Sequence, residues 1–288
     1  MVPVGCGKCM ECLKGKSREW RVRLNEEIRT NKTAKFITFT FSNDNYIKLS
    51  NEINGLSGYE LDNEVATLGT RRFLERWRQK NKKSVKHWFI TELGQNNTER
   101  IHIHGLLFTD KNNDYIENTW NYGQVYIGDY VNERTINYIS KYLTKIDKLH
   151  KEYKPKILTS AGIGKGYTDR YDAQTNKYKN DKTDETYTTR TGIKLSLPIY
   201  YRNKIYSEEE REQLWLQKLD KNIRWVNGIK IDISKGDESY YKILESEREL
   251  NKRLGYGDDS VNWERKRYEN ERRNLIKLEK IYKKNAIS

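Results

Sequence analysis

Two β-forming segments, residues 86–93 and 100–108, flank the run Gly94-Gln95-Asn96-Asn97-Thr98-Glu99, and no other feature limits the fold of this chain more. A Gly/Asn turn between two such runs predicts a hairpin, with the strands paired antiparallel. Successive side chains of a strand point to opposite faces. In the second strand His102 and His104 therefore share one face, while Ile101 and Ile103 point the other way. In the first strand Trp88, Ile90 and Glu92 share a face, and a tight turn brings Glu92 across from the two histidines.

The rest of the first two thirds of the chain builds around that hairpin. Lys35-Phe36-Ile37-Thr38-Phe39-Thr40-Phe41 reads as a central strand, with Ile37, Phe39 and Phe41 on one face and Phe36, Thr38 and Thr40 on the other. Trp20, Leu24 and Ile28 recur at i, i+4, i+8 among arginines and predict an amphipathic helix that packs on a sheet. A second helix near 65–81 buries Phe73, Leu74 and Trp77. A short strand over 125–128 and a helix from about 132 to 149 complete the order β, α, β, β, β, α. The fold class is therefore α+β, a sandwich of helices against a mainly antiparallel sheet. The run from 167 to 191 is polar and reads as an irregular loop or a small β excursion. Ser207-Glu208-Glu209-Glu210 is a capping box that opens a helix through Leu214, Trp215 and Leu219. Further sparse apolar stripes at 240–254 and 263–282 make 207–288 a charged helical region, distinct from a domain over 1–206.

Charge supplies the partner class. The chain holds 55 Lys+Arg and 41 Asp+Glu, so its net charge is 55 − 41 = +14. Residues 1–206 carry 36 basic and 24 acidic groups, or +12, whereas 207–288 carry 19 and 17, or +2. A localised excess of this kind points to nucleic acid. The densest block is 66–86, where Arg71, Arg72, Arg76, Arg78, Lys80, Lys82, Lys83 and Lys86 face one acid, Glu75. The first seven are the expected phosphate contacts. Aromatic residues at 12% are too many for a disordered basic tail. No run of about 18 apolar residues is present and the first residues lack the apolar core of a signal peptide, so neither membrane insertion nor export is expected. Cys6, Cys9 and Cys12 form CxxCxxC, three thiolates and one ligand short of a tetrahedral zinc site. A packed N-terminal element is the preferred reading of this cluster over zinc. Gly162-Ile163-Gly164-Lys165-Gly166-Tyr167 lacks the Lys-Ser/Thr ending of a nucleotide-binding loop and reads as a loop that contacts DNA.

Two sets of residues carry chemistry. His102, His104 and Glu92 make a His₂Glu set that can hold Mg²⁺ or Mn²⁺ and leave positions open for substrate oxygens. Structural histidines are the alternative explanation. On the helix, Tyr138, Lys141, Tyr142 and Lys145 stand at i, i+3, i+4, i+7, apart from an apolar stripe of Ile136, Ile139, Leu143 and Ile146. Either this stripe faces a ligand, or it is a Tyr-rich core edge with snorkelling lysines. Together the sets describe a phosphodiester reaction in which a Tyr hydroxyl attacks phosphorus beside a cation. A phenol with a reference pKa near 10 is only about 0.1% ionised at pH 7. It needs activation by the cation or by a lysine one turn away, Lys141 for Tyr138 and Lys145 for Tyr142.

These motifs carry a family resemblance. His102-Ile103-His104 resembles the HUH motif, and residues 138–145 resemble the YxxKYxxK element of rolling-circle replication initiators with two tyrosines. Residues 36–41 resemble the first motif of those proteins, and Glu92-Leu93-Gly94 resembles a segment whose acid binds metal in related nickases. The Cys cluster, residues 162–167 and Leu197-Pro198-Ile199-Tyr200-Tyr201 resemble segments of gokushovirus-type (microvirus) initiators, and the likeness covers about 5–215. It implies an HUH-endonuclease-like sandwich over 1–206 that nicks the origin of a small single-stranded DNA phage. It further implies a 5′-phosphotyrosine link, rejoining of the strand, a host polymerase and helicase as partners, and the cytoplasm of a bacterial host as location. A basic module that binds single-stranded DNA or RNA without catalysis is the competing expectation. Convergence of the His/Glu and Tyr sets separates the two.

Overall fold

The computed structural model describes residues 7, 9–94, 99–145, 150, 153–227 and 229–256, apart from the side chain of Leu219. Cys6, the stretch from Ile146 to Leu149 and the expected helix at 263–282 lie outside the described residues. Contacts divide the chain into two units, Lys14–Asp220 and a second drawn from Met1–Leu13 and Lys221–Ser288.

The first unit is a three-layer sandwich. Its elements in order are α1 (Met10–Thr30, most of which lies here), β1 (Ala34–Phe39), α2 (Asn43–Ser50), α3 (Gly58–Asn81), β2 (Lys86–Leu93), β3 (Ile101–Phe108), α4 (Asn113–Trp120), β4 (Val125–Gly128), α5 (Glu133–Ser140) and β5 (Ile157–Thr159). The five strands form one sheet in the order β4-β1-β3-β2-β5, with every neighbouring pair antiparallel. Strand alternation divides the two faces. On one face Ile37, Phe39, Phe89, Ile101, Ile103 and Leu107 meet α3 through Val65, Phe73 and Trp77, and α4 through Ile116 and Trp120. Phe39 stacks flat on Trp120 with ring centroids 4.2 Å apart. On the other face Trp88, Ile90 and Leu106 meet Trp20 and Leu24 of α1, and Ile136 and Ile139 of α5. The expected α+β class and the two-sided β1 strand are both present. The sheet also gains β5, which lies at its edge.

Outside α1, a third cluster gathers Val22 with Tyr167, Tyr187, Tyr201 and Leu214. These residues come from a polar region that folds as two 3₁₀ turns (Lys165–Asp169 and Tyr171–Asn176), the hairpin β6 (Thr186–Thr188) and β7 (Lys194–Ser196), α6 (Ile199–Ile205) and α7 (Glu208–Asp220). Buried Glu26 of α1 fastens it by accepting from Tyr187 Oη at 2.6 Å and from Arg170 at 2.7 Å. The Gly162 to Tyr167 loop is structural at its centre. Ile163 is buried, Gly164 N–H donates to Glu27 Oε2 at 2.9 Å, and a Cβ on Gly164 would stand 2.5 Å from the Arg23 carbonyl oxygen. Close backbone packing, not approach to a nucleic acid, explains that glycine, which corrects the reading of the loop as a DNA contact; Lys165 and Gly166 alone of its later residues are exposed.

The second unit contains the hairpin of β8 (Ile223–Val226) and β9 (Ile229–Asp232) and the helix α8 (Glu238–Leu254). Met10 N–H donates to Asn251 Oδ1 at 2.7 Å within it. Among the described residues no helix is long and apolar enough to cross a membrane.

Candidate active site

The histidine-bearing strand β3 is central, so its registers place the site. Glu92 lies opposite His102, Ile90 opposite His104, and on the other side Thr38 of β1 opposite His104. All of these except Thr38 were expected to share a face, and Thr38 joins them because β1 runs beside β3. Glu92 Oε2 is 2.8 Å from His104 Nε2, and Thr38 Oγ1 is 2.9 Å from His104 Nδ1. Both ring nitrogens of His104 are thus engaged, which fixes the ring. His102 and His104 stand with ring centroids 6.3 Å apart and nearly parallel planes.

α5 lays its tyrosines over this face. The Asn132 side chain accepts from the Arg134 and Thr135 backbone N–H groups, and the Thr135 hydroxyl accepts from Asn132 N–H, a reciprocal cap that starts the helix. Ile136, Ile139 and Leu143 are buried against the sheet and α1. The helix is shorter than the expected 132–149: the α ladder ends at Ser140 and tightens into a 3₁₀ turn over Lys141–Leu143. Such tightening is a usual way for a last turn to satisfy its carbonyls. It seats Tyr142 flat on His104, with centroids 4.9 Å apart and planes 2° from parallel. Tyr142 Oη donates to Tyr138 Oη at 2.7 Å. The two phenols differ in access: Tyr142 is 8% exposed and Tyr138 is 52% exposed. Phe36 flanks both His104 and Tyr138, at 6.4 and 6.2 Å between centroids.

The lysines divide in the same way. Lys145 Nζ is 2.6 Å from Glu92 Oε1 and lies 5.5 Å from the centre of the Tyr142 ring. Lys141 is exposed beside Tyr138 on the helix surface. The structure thus brings Glu92, His102, His104, Tyr138, Tyr142 and Lys145 together, with Lys141 at the rim.

Electrostatics follow from burial and these pairings. Burial would raise the Glu92 carboxyl, but the hydrogen bonds from His104 and Lys145 together outweigh it and hold the group below the usual carboxylate range. Burial lowers the His102 imidazole below the ordinary histidine range, and the neighbouring His104 adds to that effect. A neutral imidazole is the form that ligates metals. Burial, then the bond to Tyr138, then the Glu92 charge push the Tyr142 phenol upward.

Two imidazoles and a carboxylate on one face are donors suited to an open divalent-cation site. As placed, Glu92 is committed to His104 and Lys145, and among the described residues no three His, Cys, Asp or Glu side chains are gathered around a point. A cation would have to take the carboxylate from its present partners. Cys9 and Cys12 are half-buried at the start of α1, and Cys6 lies outside the described residues.

The basic block is placed elsewhere. α3 packs on the sheet face opposite the histidines. Arg72 pairs with Glu52, and the Arg76 guanidinium donates to the carbonyls of Thr119 at 2.8 Å and Trp120 at 2.6 Å and to the Tyr122 hydroxyl at 3.0 Å. Lys80 reaches Thr119 Oγ1 at 3.5 Å. Arg71, Arg78, Lys82 and Lys83 are exposed. Arg76 therefore ties α3 to the end of α4, a role that charge counting does not reveal.

Three residues of the site face were not singled out from sequence: Thr38, Phe36 and Tyr126. Tyr126 of β4 lies opposite Thr38 in the register and is 59% exposed at the sheet edge. Alternation along β1 gave a signal for the first two. The neighbour order of the strands, which aligns all three with His104, left none.

Comparison with known families adds one finding. Residues 34–147 match the family model of the replication-associated proteins of the ORF2 and gene II protein type. The matched stretch, about two fifths of the chain, runs from the first residue of β1 through Lys145 and so includes every residue of the site. The match supports a rolling-circle replication initiator. No curated protein and no solved structure gives a significant match.

Proposed function

We propose that this chain initiates rolling-circle replication of a small single-stranded DNA phage by nicking the origin through a tyrosine. One observation carries the reading: two phenols, one exposed, stand on the His104–Glu92 pair within the stretch matched by a replication-protein family. A module that only binds nucleic acid has no need to focus these groups on one face.

Tyr138 takes the first phosphodiester because its hydroxyl is accessible. Its Oη forms a bond to phosphorus, the bond from phosphorus to the 3′ oxygen breaks, and the phenolic proton is passed through solvent to the leaving 3′ hydroxyl. Tyr142 donates a hydrogen bond to the attacking oxygen and stabilises charge that develops there. It then serves the second transfer, in which the displaced strand is cut and rejoined. Lys145 neutralises Glu92, and Lys141 offers its ammonium at the rim to the phosphate. His102, His104 and Glu92 would hold Mn²⁺ or Mg²⁺, which when bound withdraws charge from the phosphodiester oxygens. The released 3′ hydroxyl is the primer for a host polymerase, with a host helicase to open the duplex.

The test uses candidate origin strands with Mn²⁺ or Mg²⁺ and scores a covalent protein–DNA adduct on a denaturing gel. Adduct formation that disappears in the double variant Tyr138→Phe/Tyr142→Phe supports the reading. Cleavage that survives in the double variant would point to a hydrolytic nuclease, and an adduct absent under every condition would count against nicking.

A further inference from the structure

A groove of about 720 Å³ runs beside the site, between α1, the start of α5 and the β6–β7 hairpin. It continues into a second, narrower depression that shares Asn25, Arg29, Glu133, Arg190 and Thr191 with it and reaches Asn137. Asn137 immediately precedes Tyr138, and both are exposed. The walls carry Arg21, Arg29, Lys32, Arg134 and Arg190. The carboxylates present are largely committed: Glu26 is bonded to Arg170 and Tyr187, and Asp129 to Lys35, which leaves Glu133. Arg134 and Arg190 are exposed with no side-chain ion pair among the described residues. Tyr130, 81% exposed, stands at the lip.

We infer that this groove is a binding site for single-stranded DNA, holding the sugar-phosphate backbone of the strand next to the nick. The inference rests on the nicking reading for the identity of the strand. Cations spaced along an open channel, with an exposed aromatic ring for a base to stack on, are the features that bind single strands without reading sequence. The channel leads to Asn137, so a strand leaving Tyr138 enters it without crossing the sheet. The block on α3, by contrast, lies behind the sheet, and two of its arginines are already engaged.

The experiment compares full-length wild type, Arg134→Ala/Arg190→Ala, and a control, Lys48→Ala/Lys111→Ala, which removes equal charge from α2 and from the turn before α4. Binding of a fluorescent oligonucleotide is measured by anisotropy across a salt series. The groove variant is expected to bind on the order of tenfold more weakly at low salt, with a salt slope smaller by about 1.4 at roughly 0.7 per lost contact. The control should match wild type. Equal losses in both variants, or no change in the groove variant, would overturn the inference. So would polyglutamate of equal charge competing as well as unlabelled DNA does, since that would indicate an acidic polypeptide as occupant. Adducts are scored on the same samples. Tyr-dependent adducts with unaltered binding remove the groove and leave nicking intact. Groove-dependent binding without any adduct removes nicking and leaves the groove.

Discussion

Two tyrosines four residues apart on one helix can perform different work because their surroundings differ. Tyr142 is pressed on His104, nearly buried, and pushed upward in pKa by burial first, whereas Tyr138 opens to solvent and accepts its neighbour's proton. Tyr138→Phe is expected to lower the first adduct by about a thousandfold or more, the scale for loss of a nucleophile. Tyr142→Phe should keep the first adduct and lose rejoined circles. Single-turnover assays with the adducted peptide mapped will show which ring holds the phosphate. Thr38 belongs at the same scale. Its hydroxyl sits on the one nitrogen of His104 that Glu92 leaves, so Thr38→Val should lower metal-dependent cleavage by roughly 10–100-fold. Unfolding by urea should change little. His102, His104 and Glu92 were legible as one face because a strand alternates with period two. Thr38 was not, since its partner is set by which strand lies alongside, and no local pattern encodes that.

At the scale of elements, the sheet depends on a close approach that a side chain would forbid. Gly105 follows His104 on β3, between Ile37 and Phe89, and a Cβ there would lie 2.1 Å from the Trp88 carbonyl oxygen and 2.7 Å from Phe89 Cα. Both clashes are with backbone, which cannot swing aside. Gly105→Ala should therefore cost at least about 1–3 kcal/mol, as overpacked cores do, read as a shift in the urea midpoint with unchanged slope. The long helices and the central hairpin were readable because their apolar periods extend over many residues: Trp20 and Leu24 on α1, Phe73 and Trp77 on α3. Short elements were not. β5 has three residues, and β6 and β7 three each in a polar stretch, so their pairing is decided by what covers them. Tyr187 on β6 is buried because Glu26 and Tyr167 of other segments receive it, a tertiary cause that the sequence of residues 186–188 does not contain.

For the whole molecule, net charge and stability are separate questions. The +12 of residues 1–206 named a class of partner, but the fold divides those charges between two sides of a sheet and spends some, such as Arg76, on internal bonds. Stability has its own pH dependence, and His87 contributes to it. Its ring is buried against Phe89, with Nδ1 3.1 Å from the Val85 carbonyl and 2.9 Å from Ser160 Oγ. Burial holds it below the ordinary histidine value, and the Val85 hydrogen bond opposes that only in part. An unfolded chain would protonate this imidazole near pH 6.5 while the folded one resists, so the unfolded state binds more protons in that window. The stability that His87 protects is therefore fully present above about pH 6.5 and is lost as pH falls below it toward the folded value. In His87→Phe this part of the acid-side decline is absent. Urea midpoints between pH 7.5 and 5 should fall more steeply in wild type than in the variant. Parallel declines would show that other groups, such as the lowered carboxyl of Glu92, govern the acid limb instead.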